Sequence, residues 1–120
     1  MNESIHEQSL LRSMIGLEVG SVVFVRDYLQ IVFDGSTLNL VTWPSIEVDN
    51  KKYIENTPGY RDALCKLIDK TITKAVEHQK EQLIIYFSGD ALMEVSLKDE
   101  DRRAVEAVMY YRDGRLLKVW

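Results

Sequence analysis

The decapeptide LIIYFSGDAL (Leu83 to Leu92) closely repeats LQIVFDGSTL (Leu29 to Leu38), with identities at Leu29/Leu83, Ile31/Ile85, Phe33/Phe87, Gly35/Gly89 and Leu38/Leu92. The similarity extends upstream with one residue of slack. LRSMIG (Leu11 to Gly16) meets LCKLID (Leu64 to Asp69), pairing Leu11 with Leu64, Met14 with Leu67 and Ile15 with Ile68. Val19 then faces Ile72 and Val22 faces Ala75. Downstream, IEVDNKKYI (Ile46 to Ile54) and MYYRDGRLL (Met109 to Leu117) each read as two short strands around a turn. The sequence thus describes one domain over residues 1–120, with pseudo-repeats over about 4–56 and 57–120. A chain of this length supports one core, or two very small halves sharing one.

Each repeat opens with a helical pattern. Ile5, Leu10, Leu11, Met14 and Ile15 fall near helical spacing after a possible cap at Asn2 or Ser4. After the break at Thr57-Pro58-Gly59, Tyr60, Ala63, Leu64, Leu67 and Ile68 follow the stripe of a helix resting on a core. Strand-like segments come next: EVGSVVFVR, YLQIVF and TLNLVTW in the first half, TITKAVE, QLIIYF and ALMEVSL in the second. Alternation of Leu29, Ile31 and Phe33, and of Leu83, Ile85 and Phe87, buries one face of each strand. Asp34-Gly35 and Ser88-Gly89 lie between paired strands, where a tight hairpin favours residues that tolerate positive φ. Asp49-Asn50 and Asp113-Gly114 look like the same device. The expected fold is therefore α+β: two pseudo-repeats of a helix followed by an antiparallel β-meander, sharing one core. One such module cannot bury its own apolar face, and two can cover each other.

Charge and cysteine content narrow the function. A net charge of −4 leaves no basic footprint for a phosphate backbone, which disfavours nucleic acid as a partner. The acidity is uneven. Residues 1–60 carry 4 Lys/Arg against 8 Asp/Glu, and residues 61–120 carry 11 of each. An acidic chain favours neutral or basic partners. The hydrophobic fraction of 46% with 28% charged residues is that of a folded protein. The lone Cys65 excludes an internal disulfide and fits a reducing compartment. MNESIHEQSLLRSMIG has neither the basic n-region nor the apolar h-region of a signal peptide. No apolar run approaches the roughly 20 residues of a membrane span. The expected location is the cytoplasm.

No catalytic or cofactor motif emerges. His6 and His78 lie in different segments with no metal-ligand spacing, so no metal is expected. Cys65 beside Leu64 on the apolar stripe reads as a small half-buried hydrophobe rather than a nucleophile. There is no G-x-S-x-G elbow and no glycine-rich phosphate loop. The chain is expected to be neither an enzyme nor a cofactor carrier.

Six residues stand out as candidates for partner contact. KDEDRRAVE (Lys98 to Glu106) gathers Asp99, Glu100 and Asp101 around Arg102 and Arg103, as a solvated loop or a contact surface. Aligned at the offset of the decapeptides, Leu40 in the first copy becomes Glu94 in the second. A carboxylate on a face shared with Leu92 is either exposed or paired. Trp43, before Pro44 at the end of a strand-like run, could present a ring to a partner, as could Trp120.

The pattern L-[IM]-G/D … V/I … L-x-I-x-F-x-G-x-x-L, best expressed in LIxYFSGxxL, resembles small bacterial proteins with helix-plus-hairpin units. Proteins of that kind occur among immunity proteins, which neutralise toxins passed between neighbouring bacteria. The resemblance implies a stoichiometric protein-binding module without an active site, whose partner is another protein such as a basic toxin domain. No site residue follows from it. The alternative is a small-ligand-binding or regulatory β-rich domain.

Overall fold

In the computed structural model, which describes residues 9–120, the chain forms ten antiparallel strands. They are β1 (Val19–Phe24), β2 (Leu29–Phe33), β3 (Ser36–Leu40), β4 (Ser45–Val48), β5 (Lys51–Tyr53), β6 (Ile72–His78), β7 (Gln82–Phe87), β8 (Ala91–Ser96), β9 (Val108–Arg112) and β10 (Arg115–Val119). Two five-stranded sheets result. Sheet 1 has the order β1-β2-β3-β9-β10 and sheet 2 the order β5-β4-β8-β7-β6.

The expected α+β class is overturned. Strands make up 48% of the structure and helix 12%, in two short pieces. The amphipathic stripes are real but too short to be helical layers. The helix at Tyr60–Cys65 is six residues long, and Asp69, just beyond it, takes a left-handed φ of 74°. Among the described residues, the first stripe is helical over 9–13 and breaks at Gly16, φ 95°. Leu11, Met14, Leu64 and Leu67 are buried, whereas Ile15 and Ile68 are 50% and 38% exposed. The proposed caps at Asn2 and Ser4, with Ile5 and His6, lie outside the described residues.

Separate helix-plus-meander modules are overturned with it. Each sheet takes a three-stranded meander from one half of the chain and a hairpin from the other. β9 pairs with β3 and β4 pairs with β8, so the two halves exchange hairpins. A bridge between Glu18 and Thr71 joins the entries to β1 and β6. There, Gly16 N–H donates to the Ile72 carbonyl at 2.8 Å and Ile72 N–H donates to that of Leu17 at 2.9 Å. Buried side chains from both sheets form one core, including Leu29, Ile31, Phe33, Leu83, Ile85 and Phe87, each no more than 3% exposed.

The two meanders differ in one turn. Phe33 pairs with Ser36 across Asp34-Gly35, but Phe87 pairs with Ala91 across Ser88-Gly89-Asp90. The extra residue moves the alignment of β3 with β8 by one position, and a one-residue slip exchanges the two faces of a strand. Asn39, not Leu40, therefore corresponds to Glu94. Leu38 and Leu40 correspond to Met93 and Val95, and all four are buried.

Two substitutions check this assignment. Phe87→Ala should lower the unfolding free energy by ~3–5 kcal/mol, because a buried ring leaves a cavity. Ile15→Ser should change it by less than about 0.5 kcal/mol, since half of that side chain is already in water. Urea denaturation measures both, and a large loss at Ile15 would reinstate the longer helix.

Candidate functional site

Register fixes which residues share the outer face of each sheet. Across sheet 1, Ser21, Val32, Thr37, Tyr111 and Leu116 form one row and Val23, Gln30, Asn39, Met109 and Val119 the next. None of these ten side chains is charged. Gln30 Nε2 donates to Asn39 Oδ1 at 2.9 Å, so the amide pair at the centre is held in place. Tyr111 O–H lies 3.8 Å from Met109 Sδ. The register of β10 shifts between Leu116 and Lys118, and Leu116, Leu117 and Val119 are 50%, 43% and 41% exposed.

Sheet 2 has the same plan and a different surface. Its rows read Lys74, Tyr86, Leu92, Glu47, Lys52 and then Val76, Ile84, Glu94, Ser45. Opposite charges face each other at Glu47 and Lys52, and the Lys74 ammonium sits 5.5 Å from the Tyr86 ring centre. Sheet 2 is a solvated face of ordinary composition, with charges at positions where sheet 1 has Ser, Tyr, Leu and Asn.

The candidate acidic residues belong to sheet 2. Glu94 is half-buried on the outer face, opposite Ser45 and Ile84, so it has no place in the core. Asp99, Glu100 and Asp101 form a single exposed 3-10 turn after β8. Ser96, two residues beyond Glu94 on the same face, donates to Asp101 Oδ2 at 2.5 Å. This bond brings Asp101 to the side of the sheet that carries Glu94.

Trp43 is not among them. It is half-buried between the sheets' connecting segments, stacked on Tyr60 with ring centres 6.3 Å apart and planes at 19°, and tilted against Phe24. The Arg61 guanidinium carbon lies 5.0 Å from the Phe24 ring centre and 5.9 Å from that of Trp43. Arg103 lies 5.9 Å from the same indole and is paired with Glu55. That hydrogen bond raises the pKa of Arg103 above its ordinary value. Tyr60 O–H donates to the Pro44 carbonyl at 2.5 Å, and burial, with Glu55 nearby, pushes the phenol pKa well up. Trp43 Nε1 is buried without a hydrogen-bond partner, as is Thr42 Oγ1. A cavity of about 220 Å³ opens beside this cluster, lined by residues that include Trp43, Glu55, Tyr60 and Arg61. Trp120, the other aromatic candidate, is 8% exposed and donates from Nε1 to Glu77 at 3.0 Å.

Cys65 is exposed rather than half-buried. Among the described residues, no cluster of His, Cys, Asp and Glu could hold a metal ion. No described helix is long and apolar enough to cross a membrane. Neither family models, nor curated proteins, nor solved structures provide a match to this chain.

The Tyr60 bond is testable through pH. Its folded pKa lies above the ordinary 10.0, so its contribution is intact below about pH 10 and is lost as pH rises beyond it. Tyr60→Phe should cost ~1–3 kcal/mol at pH 7, because the Pro44 carbonyl loses its donor. The same variant should show a smaller stability loss than the native chain between pH 9 and pH 11. Parallel alkaline unfolding curves for the two proteins would disprove the assignment.

Proposed function

We propose that this chain is a non-catalytic protein-binding module of the cytoplasm and that its partner covers the outer face of sheet 1. The observation that carries this reading is the pair of uncharged rows. In two sheets of equal plan, one outer face keeps its charges and the other has none. A face that stays in water has no reason to exclude charge, whereas the centre of an interface is depleted of it. The exposed Leu116, Leu117 and Val119 lie on β10, which among the described residues is an edge strand of sheet 1. Exposed apolar edges of this kind recruit other chains.

Size sets what the partner must reach. Five strands of five or six residues present roughly 400 Å², about half of what one side of a standard interface buries. The partner therefore also covers the β10 edge, where Leu117 adds apolar surface. The partner is a protein with net positive charge and an uncharged docking patch. Attraction to an acidic chain speeds encounter, and the uncharged rows supply the buried contact. An immunity protein that sequesters a basic toxin domain has these properties, as the resemblance in LIxYFSGxxL implies. Glu94 with Asp99, Glu100 and Asp101 serves this reading as the source of steering rather than as the docking site.

The experiment is co-purification from the native host with three baits, followed by titration of the captured protein. Leu116→Lys combined with Val119→Lys should weaken binding by at least tenfold, since two ammonium groups placed in a desolvated apolar contact together cost more than ~1.4 kcal/mol. Reversal of Asp99, Glu100 and Asp101 should slow association and reduce its salt dependence, with less effect on dissociation. Binding indifferent to the β10 pair but abolished by the acidic reversal would move the docking site to sheet 2. Binding unaffected by either set would reject both surfaces.

A further inference from the structure

We infer that the groove at the centre of the outer face of sheet 1 binds a short neutral saccharide chain. Such binding needs no protein partner on that face. The groove, of about 270 Å³, is lined by Gln30, Gly35, Thr37, Asn39, Tyr111 and Gly114. It runs along β3, which has β2 on one side and β9 on the other. Gly35, Thr37 and Asn39 form its floor, with Gln30 of β2 and Tyr111 of β9 at its sides. Two strand spacings make it roughly 10 Å wide, and the rise from Gly35 to Asn39 makes it roughly 13 Å long. Gly35 and Gly114 leave one end without side chains.

The polar groups of the groove are only half used. Gln30 Nε2 donates to Asn39 Oδ1 at 2.9 Å, which fixes both amide planes. Gln30 Oε1, Asn39 Nδ2 and Thr37 Oγ1 have no partner among the described residues. Gln30, Thr37, Asn39 and Tyr111 are all half-buried, and polar as well as apolar surface is open in the groove. A fixed acceptor therefore stands beside a fixed donor, with a hydroxyl in the next row. Tyr111 O–H reaches Met109 Sδ, two residues back on the same face, so the ring lies along β9 rather than standing away from it.

Charge and shape select the ligand. No lining residue is charged, so an ion entering the groove would shed water without gaining a counter-charge. Asp113, beside Gly35 at the open end, disfavours an anion further. A peptide cannot join as a strand, because both edges of β3 are already paired. What fits is a neutral molecule with adjacent donors and acceptors on its rim and an apolar face. A sugar has both, since each hydroxyl donates and accepts while the C–H face of the ring lies against an aromatic side chain. The groove is longer than one six-membered ring, which calls for a short chain of them. Sugar and protein partner use the same rows and therefore exclude each other.

Nitrogen-15 spectra of the full chain test this with four neutral trisaccharides as probes: cellotriose, maltotriose, mannotriose and chitotriose. At least one should shift the side-chain amide signals of Gln30 and Asn39 saturably, with a dissociation constant of about 1 mM. The amide of Asn50, in the turn between β4 and β5, serves as the unmoved control. Trigalacturonate, of similar size but charged, should produce no saturable shift. Tyr111→Ala and Asn39→Ala should each weaken binding by at least about tenfold. Tyr86→Ala, on the outer face of sheet 2, should leave it unchanged. Thr37→Val keeps the shape of the strand and loses only the hydroxyl, so its expected loss of about threefold reports ligand contact rather than folding. No shift from any of the four sugars at about 20 mM, far above the expected constant, would overturn the proposal. Binding unchanged in both Tyr111→Ala and Thr37→Val would overturn it equally. A response to the blocked tripeptide acetyl-Ala-Asn-Ala-amide and to no sugar would also overturn it, and would give the groove to the docking partner. Failure of the sugars leaves the docking reading standing, because that reading is judged by the Leu116 and Val119 variants.

Discussion

The exchange of hairpins between the halves is the constraint on which the rest of the structure depends. β9 pairs with β3 from Ser36↔Arg112 to Leu40↔Val108, and β4 pairs with β8 from Ser45↔Glu94 to Glu47↔Leu92. Without these ladders each half would be a three-stranded meander with a bare edge and a detached hairpin, and small assemblies of that kind are marginal in water. With them, neither half has a core of its own. Ile46 of the first half is buried on sheet 2 and Tyr110 of the second half on sheet 1. The chain must therefore order as a single unit. Partners distant in sequence have to meet before either sheet is complete, a topology that slows folding.

The local elements were legible wherever one physical signal acted alone. Period-two alternation marks β2 and β7, because a strand with one buried face admits no other pattern. Asp34-Gly35 and Asp113-Gly114 mark turns, and Gly35 and Gly114 do take positive φ, at 79° in both. The helices were over-read for the opposite reason. A helical turn that runs into a strand can bury Leu64 and Leu67 without continuing, and spacing cannot tell that from a longer helix. Asp69 with a left-handed backbone was the available stop signal, but aspartate is a weaker marker of that conformation than glycine. Which hairpin joins which sheet was not legible at all. Pairing of β4 with β8 instead of β3 depends on the whole core, not on any segment of the sequence.

The candidate sites divide along the same line. The break in the repeat at Glu94 came from carrying one offset through a turn that has an extra residue. With Asp90 recognised as that residue, Glu94 matches Asn39 and both face outward. The uncharged rows could have been found by the same step, since positions 21, 23, 30, 32, 37, 39, 109 and 111 are uncharged in the sequence itself. The Trp43 cluster had no such signal. Its rings and cations come from four segments, at Phe24, Trp43, Tyr60 with Arg61, and Arg103, which only the closed fold brings together.

Equal plans with unequal surfaces imply unequal duties. Sheet 2 carries the protections expected of a face and edges that must stay free. Its edge strand β5 is only three residues long and begins with two lysines, and its other edge, β6, presents Lys74. Sheet 1 gives up those protections on the side where β10 lies. Arg115 precedes and Lys118 interrupts three exposed apolar side chains, and the rows behind them hold Met109 and Tyr111 instead of a carboxylate or an ammonium. Retaining such a face in isolation invites association, and its presence beside a protected twin is what the proposed docking on sheet 1 accounts for. The register shift within β10 fits this division. By adding one residue to the strand it turns both Leu116 and Leu117 to the surface, and it also roughens the edge against indiscriminate pairing with other strands. Under the proposed docking on sheet 1, selectivity would rest on the shape of the two rows rather than on backbone pairing alone, because a partner would have to be complementary to Tyr111, Met109 and the Gln30–Asn39 amide pair to lie flat enough to cover all three apolar side chains of β10.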